Sequence, residues 1–175
     1  SDLATFDVLL MNHTDRHWWV ANAVKKIEED YDAIVFDCPP ALNGLTVSIL
    51  LATQSVVIPV QCEYYALEGV SGLLTQLNDL KTNMNVSFHV AGFVRTMYDG
   101  RNRLAQTVST QLEQILGERV CHTVIPRNVR LAEAPSQGKP IIYYDKKAQG
   151  AEAYLALAME LWRRIFEQNR ETADG

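Results

Sequence analysis

The chain has 175 residues, 47% hydrophobic and 21% charged, enough for one substantial core and the composition of an ordinary globular domain. No apolar run approaches the roughly 20 residues that span a bilayer, and no basic-then-apolar start marks a secretion signal. Cys38, Cys62 and Cys121 are odd in number and widely spaced, which argues against a disulfide framework and against paired zinc ligands and suits a reducing cytosol. The net charge of −5 is uneven: residues 95–147 hold nine Lys and Arg against five acids, a surplus of +4 that leaves −9 for the remainder. Such a split fits either an anionic partner for the basic stretch or a mixed solvated surface. The first residue is Ser1 rather than Met, so the chain is read as a piece of a longer protein.

In chain order, Phe6 to Leu10 (FDVLL) reads as a short buried strand, and the polar residues Asn12 to Asp15 can cap a helix. That helix is predicted from about Arg16 to Glu29, with Trp19, Val20, Ala23, Val24 and Ile27 as its core stripe. Ala33 to Cys38 (AIVFDC) is a continuous apolar run ending in an acid, the pattern of a central parallel strand, and Pro39 and Pro40 forbid its continuation. Further strands are predicted at Ser55 to Val60, Phe88 to Val94 and Val120 to Val124. Helices are predicted around Ala66 to Lys81, from about Asn102 to Leu116, and from Gly150 to Gln168. The last carries an apolar stripe of Tyr154, Ala158, Leu161, Trp162 and Ile165. This alternation marks one α/β domain over residues 1–175, a mostly parallel sheet with helices on both faces.

Asp37 is the first residue with a chemical reading. A carboxylate at the C-terminal end of a parallel strand lies at the edge where open α/β sheets bind ligands, and in P-loop NTPases it holds a magnesium-bound water. The same pattern also describes an Asp that merely caps the following turn. The sequence contains neither GxxxxGK[ST] nor GxGxxG, and its nine glycines are scattered singly, so no glycine-rich turn is available to cradle phosphates.

Five longer stretches narrow the choice: YDAIVFDCPP (Tyr31 to Pro40), PVQCEYYALEG (Pro59 to Gly69), TMYDGR (Thr96 to Arg101), VIPRNVRLAEAPSQGKPI (Val124 to Ile141) and YDKKAQGAEAYLALA (Tyr144 to Ala158). In order and spacing they resemble the ParA/Soj family of chromosome and plasmid partition ATPases, from about Tyr31 to Ala158. The resemblance implies a P-loop NTPase fold of the deviant-Walker type, incomplete at the N-terminus, with the phosphate loop lying before Ser1. Residues 1–30 resemble the family only loosely, and HTDRHWWVANAV departs from its commonest pattern.

Carried over residue by residue, the resemblance makes Asp37 the Walker B acid that organises Mg2+ through water. Gln61, Cys62 and Glu63 fall where the family has a nucleotide-sensing segment, with Cys62 read as a small buried hydrophobe. Thr96 and Met97 would form one wall of an adenine pocket and Pro126, Arg127 and Asn128 the other, a set of surfaces suited to sandwiching a base. The alternative for Pro126 and Arg127 is an ordinary strand exit with a solvated Arg. Arg101 and Arg130 resemble the family's arginines for non-specific DNA, where phosphate contacts need only well-placed cations. Arg103, Lys146 and Lys147 are candidates to join them. For the intact protein the resemblance implies ATP and Mg2+ as cofactors, a nucleotide-dependent homodimer, DNA and a ParB-like partner, no membrane, and a cytoplasmic, nucleoid-associated location. The present chain alone is expected to lack activity. A non-catalytic binding module and a MinD-like positioning ATPase are the alternatives, the latter disfavoured because the last helix reads as core rather than as a membrane tail.

Overall fold

The computed structural model describes residues 16–167, so the predicted strand at residues 6–10 and its capping residues lie outside the described residues. The described residues form two compact units, one of residues 16–56 with Lys81–His89, the other of Val57–Leu80 with residues 90–167.

The first unit holds helices α1 (Trp19–Val24) and α2 (Gly44–Leu51). The single helix predicted from Arg16 to Glu29 is instead a 3-10 turn, the short α1, and a second 3-10 turn at Glu28–Asp30. Helices this short persist through packing rather than propensity, and of the predicted stripe only Val20 is buried, Trp19 and Ile27 being 50% and 43% exposed. Helix α2 was not anticipated. Its sequence GLTVSILL is apolar almost throughout, so no amphipathic period announces it. Asn43 caps it, accepting from Thr46 N at 2.9 Å, while Thr46 Oγ1 donates to Ala41 O at 2.9 Å.

The predicted strand Ala33 to Cys38 is a correction. These residues form no strand, and Val35 is 91% exposed. An isolated extended segment leaves its N–H and C=O groups to water, and no described segment pairs with this one to make a ladder.

A sheet of order β1-β2-β3 is built from Ser55–Gln61, His89–Tyr98 and Val120–Pro126. Strands β2 and β3 are parallel. The bonds His89 N to Gln54 O (3.0 Å) and Cys62 N to Thr96 O (3.4 Å) advance together along both chains, so β1 runs parallel to β2 as well. Helix α3 (Ala66–Met84) joins β1 to β2 and buries Val70 and Leu77. Helix α4 (Arg103–Leu116) joins β2 to β3. Asn102 caps it, accepting from Leu104 N at 2.9 Å, and Ala105, Val108, Leu112 and Leu116 form its buried face.

Successive residues of a strand point to opposite faces, and β2 uses both. Val94 packs with Cys121, Ile125 and Leu157, the last from helix α7 (Gln149–Trp162), whereas Arg95 reaches Ser109 and Glu113 of α4. Phe93 and Leu112, each 1% exposed, contribute about 2–3 kcal/mol apiece through burial. The short helices α5 (Val129–Glu133) and α6 (Ile141–Tyr144) precede α7. The stripe predicted for α7 is only partly the observed one: Leu161 packs against the core, but Tyr154, Ala158 and Trp162 are exposed, while Gly150, Ala151 and Leu157 are buried. The helix approaches through its smallest residues, so closely that a Cβ on Gly150 would lie 2.5 Å from Leu131 Cγ.

The β2–β3 ladder is irregular. Between the pairs Phe93↔Val120 and Arg95↔Val124, β2 advances two residues and β3 four, so β3 bulges at Cys121–Thr123. Its orphaned groups are claimed by charged side chains. Arg95 Nη2 donates to Cys121 O (2.9 Å) and His122 O (3.2 Å), and Glu160 accepts from His122 N (2.7 Å) and Thr123 N (2.8 Å). Each such group would cost about 1–3 kcal/mol if buried unpaired. Arg164 braces the arrangement, donating to Glu160 (2.9 Å), Val120 O (3.0 Å) and Glu118 O (2.8 Å). Burial pushes the Glu160 carboxyl up, but the N–H groups of Thr123 and His122 and the Arg164 charge outweigh it and leave it below its ordinary value.

Candidate functional site

Parallel sheets bind ligands beyond the C-terminal ends of their strands, and β2 and β3 end together. Tyr98 stands opposite Pro126, and Arg127 N donates to Tyr98 O at 2.9 Å. The two segments proposed from sequence as facing walls, Thr96–Met97 and Pro126–Asn128, are therefore neighbours at one edge of the sheet. Met97 has φ of +53°, uncommon for a residue with a Cβ and costly by about 1–2 kcal/mol. It falls where β2 carries one extra residue, Arg95 to Tyr98 matching Val124 to Pro126, and its side chain is 44% exposed.

Each strand end leads within a few residues to one of the candidate DNA arginines. After β2, Asp99 Oδ1 accepts from Arg101 N, and the carboxylate takes the guanidinium side-on, from Nε and Nη2, all at 3.0 Å. The Arg101 side chain is nonetheless 91% exposed. The hydrogen bond from Arg101, with the Arg101 and Arg127 charges, holds the Asp99 carboxyl down to about 2. After β3, Asn128 Oδ1 accepts from Arg130 N at 2.9 Å and caps α5. The Arg130 guanidinium meets Glu133 at 2.9 Å and Asp145 at 3.5 Å, and Tyr144 Oη donates to the same Glu133 oxygen at 3.1 Å. Both arginines thus carry acidic companions that reading for cations alone did not register. Arg103, Lys146 and Lys147 are exposed, whereas Arg95, counted in the basic surplus, is 6% exposed and belongs to the interior.

Asp37 is an exposed residue of the first unit. Cys62 is buried, as expected, and burial raises its thiol. Among the described residues no group of three or more His, Cys, Asp or Glu could hold a metal ion by itself, and no helix is long and apolar enough to cross a membrane. The residues overlooked from sequence are Arg95, Glu160 and Arg164. Of these only Arg95 carried a signal, a charge inside an apolar strand, FVRTM, because a buried Arg requires partners.

A family model described as an AAA domain matches residues 1–90. The chain is 45% identical over 159 residues to the sporulation initiation inhibitor protein Soj of Bacillus subtilis, covering 91% of this chain and 63% of that one. It is 51% identical over 140 residues to the chromosome-partitioning ATPase Soj of Thermus thermophilus, covering 80% and 56%. The chain therefore spans less than two thirds of the length of these relatives. Among solved structures, cobyrinic acid a,c-diamide synthase of Mycobacterium smegmatis, with a bound ATP analogue and magnesium, superposes with a TM-score of 0.75 at 29% identity, over 93% of this chain and 59% of that one. The fold is that of the P-loop NTPases, and the chain belongs to the ParA/Soj family of partition ATPases.

Proposed function

We propose that the whole protein carrying this chain is a DNA-partitioning ATPase that grips DNA without sequence preference as an MgATP-bound homodimer and lets go after hydrolysis stimulated by a ParB-like partner. The observation that carries this reading is the meeting of Met97–Tyr98 with Pro126–Arg127 at the C-terminal edge of a parallel sheet, each strand leading on to an exposed arginine. Met97 and Pro126 are the apolar surfaces against which a base packs, and the Arg127 plane adds a stacking face. Strain at Met97 is of the kind that collects at binding sites.

Magnesium takes oxygen donors, keeps several of its waters and is held by one or two carboxylates besides phosphates, so a single exposed Asp37 suits an outer contact. Bound MgATP supplies the phosphoryl chemistry. In this reading Asp37 orients the metal's water, Thr96 to Met97 and Pro126 to Asn128 hold the base, and Arg101 and Arg130 neutralise DNA phosphates. Such a protein acts in the cytoplasm, on the nucleoid. In the whole protein Asp37→Ala should abolish ATP hydrolysis, and Arg101→Ala with Arg130→Ala should lower DNA affinity and flatten its salt dependence by about one unit of slope per lost contact. Normal hydrolysis by Asp37→Ala, or an unchanged salt slope, would sink the corresponding assignment.

A second reading applies to these 175 residues by themselves: a DNA- or partner-binding module without nucleotide. It is favoured by the absence of a phosphate loop in the sequence and by Asp37 lying off any strand. Calorimetry showing MgATP binding at micromolar affinity to the isolated chain would refute it.

A further inference from the structure

We infer that Arg95 and Glu160 are positioning residues for the nucleobase, because together they set the register at which Pro126 meets the end of β2. This rests on the reading of Met97 and Pro126 as walls of the base site. The inserted residues Cys121–Thr123 let β3 gain two positions on β2 between Phe93 and Arg95. Were they absorbed into a regular ladder, β3 would slide by two residues, bringing Val124 opposite Tyr98 and carrying Pro126 roughly 7 Å along the strand. The bulge persists because its polar groups have partners. The carbonyls of Cys121 and His122 take the Arg95 guanidinium, and the N–H groups of His122 and Thr123 take the Glu160 carboxylate.

The two charges are themselves fixed. Arg95 Nη1 donates to Ser109 Oγ at 2.9 Å and to Glu113 of α4, while Glu160 is tied to Arg164 one turn further along α7. Arg95 also keeps a buried Nε without a partner. A side chain held at that cost inside the buried middle of β2 does work that an apolar residue would not, because the bulge carbonyls need hydrogen-bond donors and an apolar side chain has none. On the opposite face Gly92 makes room for the bulge, since a Cβ there would lie 2.5 Å from Cys121 Sγ.

The test is nucleobase selectivity in the whole protein, measured as the ratio of kcat/KM for ATP to that for GTP. Arg95→Met and Glu160→Gln should each cut this ratio about tenfold through KM(ATP), with kcat within about twofold, as for loss of one or two fixed contacts to the base. Leu112→Ala loosens the core while removing none of the hydrogen bonds to the bulge, and it should lower the melting temperature while leaving the ratio unchanged. If Arg95→Met does not fold, Glu160→Gln, at a partly exposed position, decides alone. Should Pro126→Gly shift the ratio while Glu160→Gln and a folded Arg95→Met leave it within twofold, the register inference is overturned and the base-wall reading stands. If Pro126→Gly is silent as well, both fall.

Discussion

Adding one methyl group at Gly92 tests how tightly β2 and β3 are keyed. A Cβ there would lie 2.5 Å from Cys121 Sγ, with Arg119 O and Leu161 Cδ2 each at 3.8 Å. Cys121 is fully buried among Val94, Ile125 and Leu157, so its sulfur has nowhere to retreat without moving the bulged backbone. Overpacking of this kind costs about 1–3 kcal/mol, whereas replacing glycine in a strand by alanine returns about 0.5–1 kcal/mol of backbone entropy. The net loss for Gly92→Ala is then about 1–2 kcal/mol, a fall of roughly 2–8 °C in melting temperature for a chain of this size. The decisive measurement is the same substitution made in Cys121→Ala, which is itself destabilising but removes the sulfur. There Gly92→Ala should become neutral or stabilising by up to about 0.5–1 kcal/mol, a reversal of sign expected when the two side chains meet. Urea denaturation followed by circular dichroism supplies all four stabilities. If the two substitutions add, the keyed contact does not exist in solution and the bulge is held some other way.

Four further outcomes follow from side-chain partnerships and burial. Asp99→Asn should raise DNA affinity in the whole protein roughly threefold at moderate salt, by freeing Arg101 and removing a negative charge near phosphate; a mobility-shift titration reads this, and weaker binding would mean that Asp99 orients Arg101 rather than restrains it. Because Asp99 is held down to about 2, its contact with Arg101 is complete above the ordinary carboxylate range and is lost only as pH falls through that value, so its carboxyl carbon resonance should stay flat from about pH 6 to about pH 3. Of the three thiols, exposed Cys38 should react with Ellman's reagent in the native chain, while buried Cys62 and Cys121, the latter pushed up to about 11 chiefly by burial, should react only on unfolding. Arg164→Met strips donors from Val120 O and Glu118 O and a counter-charge from Glu160, and should cost about 2 kcal/mol in the same denaturation assay.

Elements with a strong period or a clear exit were legible in the sequence. The strands at Ser55, Phe88 and Val120 and the helices at Ala66 and Asn102 appear within a few residues of their predicted bounds, because half-buried amphipathic faces write themselves into local order. Ala33 to Cys38 was misread since its apolar run states a preference for a central position, and a strand exists only where neighbours supply the ladder. Helix α2 was invisible for the opposite reason: an octet apolar almost throughout has no period to detect. The stripe of α7 was partly misplaced, Leu161 apart, because Gly150 and Ala151 weigh little on any hydrophobic scale yet decide which face can come close. At the candidate site, the family resemblance led to the juxtaposed strand ends, but not to Asp99, Glu133 and Asp145 as companions of the arginines. Those pairings depend on turns whose geometry is only realised once the strands are in register.

The bulge in β3 also bears on the order in which the chain can complete itself. Its carbonyls can be met by β2, which precedes it, but its N–H groups wait for Glu160, 38 and 37 residues further along from His122 and Thr123. Until α7 docks, the third strand has a hole in its wiring, and filling it closes a loop of 37 to 38 residues. During synthesis, the strand ends at Tyr98 and Pro126 should therefore lock together only after the last helix has emerged, so a chain stopped before Glu160 would carry every residue of the proposed base walls and still hold them out of register.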